Sequence, residues 1–147
     1  MYTYHHPRPA LTVDIVVFGI TGNRIQVLLI QRANEPFANS WALPGGFVEI
    51  AEGIDEAAMR ELKEETGITP LFLEQFHTFG NPKRDPRGRV ISVAYLTLIT
   101  QNEMQNIQHG SDASAVKWFS LKSLPKLAFD HDEIISLALK KFEQIIE

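Results

Sequence analysis

Three glutamates are spaced in a way that could hold a metal ion: Glu61, Glu64 and Glu65, within the stretch from Gly45 to Ile68. On a helix, Glu61 and Glu65 lie on one face and Glu64 flanks it, so three negative charges would meet. Like charges at this spacing repel, and a cation among them removes that cost. Oxygen ligands without Cys or His nearby select a hard ion, which predicts Mg²⁺ or Mn²⁺. A solvated acidic helix face is the alternative that these residues alone leave open.

The residues around the glutamates predict a turn followed by a helix. Adjacent Gly45 and Gly46 allow a tight turn in which the backbone approaches its neighbours closely. Strong helix formers then run from Ile54 to Thr66, and Gly67 suits the position just past the end of a helix. The carboxylates would therefore stand on a rigid element directly after a glycine turn.

Arg60 precedes the first of the three glutamates. One helical turn separates it from Glu64, and a long side chain there can also reach back to Glu52. Either contact would hold the carboxylates in place around an ion, so we expect Arg60 to support the site.

The complete pattern of this stretch resembles the Nudix box, G-x5-E-x7-R-E-U-x-E-E-x-G-U, where U is a bulky aliphatic residue. The matching positions are Gly46, Glu52, Arg60, Glu61, Leu62, Glu64, Glu65, Gly67 and Ile68. The chain thus resembles the Nudix hydrolases, which cleave a nucleoside diphosphate linked to another group. The resemblance implies an α/β/α sandwich in which helices enclose a mixed β-sheet.

The resemblance also implies a ligand set for the metal. In the family the ligands are box glutamates and the carbonyl of the residue before the first box glycine. On this chain they correspond to Glu61, Glu65, Glu64 and the carbonyl of Gly45, with Glu52 assisting.

The general base is left open by the resemblance. Some family members use a box glutamate, for which Glu61 is the candidate. Others use an acidic residue in a later loop ahead of a strand that carries tryptophan. Asp112, ahead of Trp118, matches that description, and Glu103 is the alternative.

The loop from Gly80 to Gly88 resembles one branch of the family, the ADP-ribose pyrophosphatases, which carry a proline such as Pro82 after the box. A proline-stiffened basic loop of this length is more often functional than idle. Its arginines could contact phosphates and a nearby aromatic ring could stack on adenine, whereas Lys83 is expected to be an ordinary surface residue. The candidate substrate-binding residues are Arg32, Phe37, Arg84 and Arg87.

We therefore expect metal-dependent hydrolysis of ADP-ribose to AMP and ribose 5-phosphate. Two alternatives remain: a pyrophosphatase for oxidised nucleoside triphosphates, and a non-catalytic domain that senses ADP-ribose or a sugar. Regulators of the second kind resemble the same branch, but they usually have a damaged box followed by a DNA-binding domain. The intact box, and a chain that stops after its terminal helix, favour the enzyme.

The composition bears on the number of domains, on nucleic-acid binding and on the location of the protein in the cell. The 147 residues predict one domain, and a net charge of -4 gives no basic footprint for nucleic acid. The sequence has no cysteine and no apolar run of membrane-spanning length, so we expect a soluble cytoplasmic protein. Residues 1–9 are predicted to form an extended arm. Members of the branch that this chain resembles are commonly homodimers, and Tyr2 and Tyr4 of the arm suit a contact between subunits.

The remaining segments predict the sheet and the second helix. Predicted strands cover Leu11–Phe18, Gln26–Ile30, Leu71–Phe79, Val90–Ile99 and Val116–Phe119. A turn of helix is predicted for Leu121–Leu124 and a terminal amphipathic helix for Asp130–Glu147. Asp14 interrupts the first strand and is expected to be hydrogen-bonded there rather than catalytic.

Overall fold

A computed structural model describes residues 3–108, 110 and 113–146. Strands β1 to β4 come first, helix α1 follows, and three further strands precede helix α2. In chain order the elements are β1 (Ala10–Thr21), β2 (Arg24–Arg32), β3 (Trp41–Ala42), β4 (Gly45–Phe47), α1 (Ile54–Thr66), β5 (Glu74–Phe79), β6 (Val90–Thr100), a 3-10 turn (Glu103–Gln105), β7 (Ala113–Ser120) and α2 (His131–Ile146). No helix in this described part of the chain is long and apolar enough to cross a bilayer.

The central feature of the sheet is a fork between β1 and β2. The two strands pair only next to their hairpin, at Phe18–Thr21 with Arg24–Val27. Beyond that point β1 pairs with β4 through residues 12–14, and β2 pairs with β3 through residues 30–31. The chain segment 41–47 thereby fills the opening between residues 12–17 of β1 and residues 28–32 of β2, which is called the fork below.

The outer edges of the fork are long strand pairs, with one register shift between Gln31 and Arg32 of β2. On its far side β1 runs parallel to β6 over eleven residues, while β7 covers the far edge of β2. Strand β5 closes the sheet beside β6. Both walls of the fork are therefore held by long hydrogen-bonded ladders, which makes them rigid platforms for side chains.

Alternating residues of β1 build a core on each face of the sheet. Val13, Ile15 and Val17 pack on the side of α1, against a cluster that contains Leu62. Val16 and Phe18 pack on the side of α2, against a cluster that contains Ile134, Ala138 and Phe142. This period of two buries both faces, and the result is the α/β/α arrangement with a mixed sheet that the sequence predicts.

Most predicted elements are confirmed, and helix α1 is confirmed at both ends. It spans Ile54–Thr66, and Gly67 closes it in a left-handed conformation with φ of 79°. The terminal helix begins at His131, one residue after the predicted start. The predicted strand from Leu71 begins only at Glu74, and the described residues of the arm, 3–9, contain no helix or strand.

The predicted turn of helix at Leu121–Leu124 is wrong. The Ser123 amide donates to the Ser120 carbonyl at 3.0 Å, which closes a single turn after β7. Pro125 follows directly, and a proline disfavours the helical conformation of the residue before it. The apolar residues of this segment, Leu121 and Leu124, are partly buried and pack against the core on the α2 side of the sheet.

Candidate active site

A cavity of about 400 Å³ opens at the fork. Its wall combines the first half of β1, the end of β2, the segment Leu43–Phe47, one face of α1, the loop around Arg84 and the start of α2. The glycine turn and the glutamate-bearing helix predicted from the sequence meet here.

Two carboxylates of α1 face this cavity. Glu65 is only 7% exposed, and its Oε1 accepts a hydrogen bond of 2.8 Å from the Gly45 amide. Glu61 lies beside it, close enough for the two carboxyl groups to hydrogen-bond. Burial raises the pKa of both groups, that of Glu65 to about 9, because two adjacent negative charges out of water are unfavourable.

Arg60 forms the predicted clamp around the other glutamates. Its guanidinium donates to both carboxylate oxygens of Glu52, to Glu61 at 2.8 Å and to Glu64 at 3.2 Å, and it also reaches the Phe47 carbonyl. These contacts raise the pKa of Arg60, chiefly through the hydrogen bonds to Glu52, so it stays charged. Arg60 therefore connects both ends of the box.

The contacts of Arg60 keep the carboxylates from meeting around one point, although the sequence predicted that they would. Glu64 is 59% exposed along its side chain, and neither it nor Glu52 lines the cavity, because both turn toward Arg60. Across residues 3–108, 110 and 113–146, no three carboxylates or imidazoles lie close enough together to coordinate one ion. The guanidinium takes the central position between the negative charges.

The turn and the donor set nevertheless fit a hard divalent ion. A Cβ on Gly46 would lie 2.6 Å from the Glu61 carboxylate, and one on Gly45 would lie 2.2 Å from the Val13 carbonyl. Only glycine allows the backbone this close to the carboxylates. Glu61 and Glu65 offer oxygen ligands at one end of a polar cavity, and a divalent ion between them would offset the repulsion of their ionised forms.

Asp14 is the hub of a buried polar network opposite these glutamates. It accepts a hydrogen bond from the Ser92 hydroxyl, and its Oδ1 lies 3.3 Å from Nε2 of His131. Nδ1 of His131 accepts from the Leu43 amide at 3.0 Å, so the ring joins α2 to segment 41–47. Burial acts to raise the pKa of Asp14, but His131, Ser92 and the Arg84 guanidinium outweigh it and hold the pKa below its usual value. The expected hydrogen-bonded role of Asp14 is confirmed.

The two loop arginines predicted for substrate binding are both paired with aspartates. Arg84, with a side chain only 3% exposed, donates two hydrogen bonds to Asp130 at 2.6 and 2.9 Å. Arg87 makes the same kind of pair with Asp85. Both arginines line the cavity, but their charges are largely matched by these carboxylates.

Arg32 also lines the cavity, and its surroundings differ from those of the loop arginines. Its Nε donates to the Pro36 carbonyl at 2.7 Å, a neutral acceptor. Burial and the nearby Arg87 lower the pKa of Arg32 from its usual value, although a guanidinium remains charged at neutral pH. This end of the cavity is therefore the more positive one.

Aromatic rings are interleaved with these arginines along one wall. The Phe129 ring lies 5.0 Å from the Arg32 guanidinium carbon and 5.4 Å from that of Arg87, and Arg87 also faces Phe47 at 4.9 Å. Phe37 does not line the cavity. It contacts Phe129 edge to face, with ring centroids 4.8 Å apart, so it supports the wall from behind.

The two candidates for a general base in the later loop have different positions. Asp112 lies outside the described residues. Gly110, two positions earlier, donates its amide to the Glu65 carbonyl at 3.3 Å, so the loop approaches the C-terminal end of α1. Glu103 accepts from the Thr100 hydroxyl within the 3-10 turn and does not line the cavity.

Sequence reasoning did not assign a role to several residues that line the cavity, among them Thr12, His131, Phe129 and Asp85. They come from three separate parts of the chain, and none belongs to a spaced motif. One signal was present, since Asp14 stands alone in a β-branched run and marks the end of β1 that faces the cavity. Phe129 adds a backbone signal, its φ of 53°, which only the structure reveals.

The chain belongs to the NUDIX domain family. The sequence profile of that family matches residues 8–138. The resemblance to Nudix hydrolases is thus confirmed. An ADP-ribose pyrophosphatase from Methanocaldococcus jannaschii is 45% identical over 127 residues, covering 86% of this chain and 71% of that protein.

Two further proteins are similar, the first in sequence and the second in structure. The ADPR responsive transcriptional repressor NtrR of Acinetobacter baylyi is 40% identical over 141 residues, covering 92% of this chain but only 55% of the repressor. The NUDIX domain of Shewanella oneidensis NrtR, solved with ADP ribose, superposes with a TM-score of 0.85 at 37% identity, covering 93% of this chain and 90% of that domain.

Proposed function

We propose that the protein hydrolyses ADP-ribose to AMP and ribose 5-phosphate. The observation that carries this proposal is the adjacent Glu61–Glu65 pair at the glycine turn, which opens into a cavity walled by arginines and phenylalanines. A pyrophosphate needs concentrated positive charge and a polarised phosphorus, and this cavity combines a metal-ligand pair with cations that can bind phosphate. The 45% identical ADP-ribose pyrophosphatase supports the choice of substrate.

Different residues are proposed to bind the metal ion and to accept the proton of the attacking water. Glu61 and Glu65, with the Gly45 carbonyl, would hold Mg²⁺ or Mn²⁺, while Glu52 and Glu64 assist through Arg60. The bound ion would neutralise phosphate charge and lower the pKa of the attacking water. Water attacks one phosphorus, the bridging phosphorus–oxygen bond breaks, and the proton passes to a carboxylate, Glu61 or Asp112. The second ribose leaves as its 5-phosphate.

Substrate binding is proposed along the aromatic wall. Arg32 has a neutral acceptor as its partner and is the best cation for a phosphate. The Phe129 ring beside it offers a face for adenine, and Phe37 supports that ring, so its predicted role becomes indirect. Arg84 and Arg87 shape the other end of the cavity through their ion pairs with Asp130 and Asp85.

A sensing function is the second candidate, because the repressor relative is similar in sequence and the NrtR domain solved with ADP ribose shares this fold. Both functions require the same ligand. The intact set of box glutamates favours hydrolysis, since a domain that only binds has no need for two adjacent carboxylates that repel each other.

A substrate panel separates the candidates. With Mg²⁺ present, ADP-ribose should be cleaved with far higher kcat/KM than an oxidised deoxynucleoside triphosphate, and chromatography should identify AMP and ribose 5-phosphate. Glu65→Gln should lower kcat by roughly a hundredfold or more, because it weakens an ion that acts on the transition state. Glu56→Gln, on the exposed first turn of the same helix, is the matched control.

If the triphosphate is the better substrate, the assignment of ADP-ribose as the substrate is wrong, whereas the proposed metal-dependent hydrolysis still stands. Tight ADP-ribose binding without turnover, measured by calorimetry, would favour the sensing domain instead. The proposal also includes a homodimer and a cytoplasmic location. The homodimer is supported by the common dimeric state of this branch of the family, and the cytoplasmic location is compatible with a sequence without cysteine.

A further inference from the structure

The His131 imidazole connects the first turn of α2 to two residues next to the glycine turn. It is only 4% exposed, and each of its ring nitrogens has a partner. Nδ1 accepts from the Leu43 amide at 3.0 Å, so this nitrogen carries no proton and the ring N–H is on Nε2. Nε2 in turn lies 3.3 Å from Oδ1 of Asp14, within reach of a hydrogen bond. The ring is therefore held in one orientation and one tautomer.

Both partners of the ring are neighbours of Gly45. Leu43 precedes it by two residues in the chain. Asp14 pairs with Gly45 between β1 and β4, and a Cβ on Gly45 would lie 2.8 Å from Oδ1 of Asp14, the same oxygen that the ring contacts. The position of the ring is thus coupled to that of Gly45 along the chain and across the sheet.

The backbone from Leu43 to Gly45 depends on side chains for its hydrogen bonds. Pro44 has no amide hydrogen, so Leu43 and Gly45 supply the only two amide donors of this tripeptide. The first donates to the imidazole, and the second donates to Glu65 at 2.8 Å. The Pro44 carbonyl adds one bond, from the Ile15 amide. One amide is therefore held from α2 and the other from α1.

Docking of α2 on the sheet does not require this imidazole. The helix packs through Ile134, Ile135, Ala138 and Phe142, all of them buried in one apolar cluster. An apolar side chain at position 131 could extend that contact without burying polar atoms, which costs free energy unless they are hydrogen-bonded. The two polar contacts of the ring therefore indicate a role at the glycine turn and not in the attachment of the helix.

We propose that His131 is a positioning residue for the metal site: its contacts with Leu43 and Asp14 fix the backbone at Gly45, so that the Gly45 amide meets Glu65. This inference rests on the proposed function, in which Glu65 helps to hold the divalent ion. Replacing a side chain that orients a metal ligand commonly lowers metal affinity or activity by about tenfold or more. In this role the ring acts through its two partners and not on the substrate.

Two substitutions separate the two contacts of the ring. His131→Asn keeps an acceptor for Leu43, because the amide Oδ1 is as many bonds from Cβ as Nδ1 of the ring. His131→Gln keeps a donor for Asp14, because the amide Nε2 is as many bonds from Cβ as Nε2 of the ring. The contact with Leu43 is the shorter one and acts directly on the backbone, so His131→Asn should preserve more of the role. Asp132→Asn, at the next and exposed position outside the cavity, is the matched control.

The first measurement is amide hydrogen exchange, followed by NMR in the metal-free protein. We expect His131→Gln to speed up exchange of the Leu43 and Gly45 amides about tenfold relative to wild type, the effect of losing one hydrogen bond. The amides of the β1–β6 ladder should keep their wild-type rates. In His131→Asn both amides should stay within about threefold of wild type, because the acceptor for Leu43 remains. Asp132→Asn should behave as wild type.

The second measurement is calorimetric titration with Mn²⁺ in the absence of substrate. His131→Gln should raise Kd for Mn²⁺ about tenfold and should raise the Mg²⁺ concentration for half-maximal hydrolysis of ADP-ribose by the same factor. KM for ADP-ribose at saturating Mg²⁺ should change less than about twofold, because the substrate contacts remain. His131→Asn should bind Mn²⁺ nearly as well as wild type. A residue that only stabilises the fold would not separate metal affinity from KM in this way.

Two results would overturn the inference. If His131→Gln speeds up exchange in the β1–β6 ladder as much as at Gly45, the ring stabilises the whole domain and does not position the turn. If His131→Asn loses Mn²⁺ affinity by about tenfold, the contact with Leu43 does not support the metal site, and this result decides the matter even where His131→Gln does not fold. Failure of the proposed function is distinct, because it appears in the wild-type protein as absent turnover of ADP-ribose, whereas hydrogen exchange requires no substrate.

Discussion

Glu65 should make the metal-free protein less stable as the pH rises. Its pKa moves from an ordinary value of 4.5 to about 9 in the folded state, because the carboxyl is buried next to Glu61. Between these values the native state keeps a proton that the unfolded chain has released. The free energy of unfolding therefore falls with rising pH across this window, by about 1.4 kcal/mol per pH unit at most.

The loss of stability at pH 7 follows from the difference between pH 7 and the pKa of Glu65 in the unfolded chain. Two and a half pH units above 4.5 correspond to about 3 kcal/mol, an upper bound because water in the cavity screens the charge. Glu65→Gln removes this penalty, since an amide stays neutral, still accepts the Gly45 amide hydrogen bond and can donate to Glu61. That gain is a substantial part of the stability of a typical domain.

The assay is denaturant unfolding of wild type and Glu65→Gln in a chelator at pH 5, 7 and 9. The difference between the two proteins should be near zero at pH 5 and should grow in favour of the variant toward pH 9. Millimolar Mg²⁺ should reverse the order, because only the wild type gains from binding the ion. Glu56→Gln should show a small, pH-independent difference. A constant difference between wild type and Glu65→Gln from pH 5 to 9 would refute the buried-pair argument.

Further changes probe the cavity walls and the assembly. Arg84→Ala should lower the free energy of unfolding by about 3–5 kcal/mol in thermal or urea denaturation, because it leaves Asp130 buried without its partner. In the folded fraction it should raise KM for ADP-ribose more than it lowers kcat, and an unchanged KM would contradict a role in binding. Phe129→Leu should raise KM about fivefold and Phe37→Leu less, since Phe37 acts through Phe129; equal effects in steady-state assays would contradict this order. Light scattering at micromolar concentration should give the mass of a dimer, and a monomer would count against the expected assembly.

The sequence alone determined the parts of the site that are local in the chain. Helix α1, its ending at Gly67 and the pairing of Arg60 with Glu52 and Glu64 followed from propensity, capping and spacing within about twenty residues. Fixed helical geometry turns such spacing directly into positions in space, which is why these predictions are confirmed. Strand β6 was equally clear, because a long β-branched run fits only a buried strand.

Tertiary structure alone decided what faces the metal-ligand pair across the cavity. Asp14 meets His131 and Arg84 only because β1 and β2 diverge and α2 begins beside the opening between them. No local pattern encodes contacts between residues 70 and 117 positions apart. Propensity acts along the chain, whereas the cavity is assembled from strand register and helix placement, which depend on packing of the whole domain.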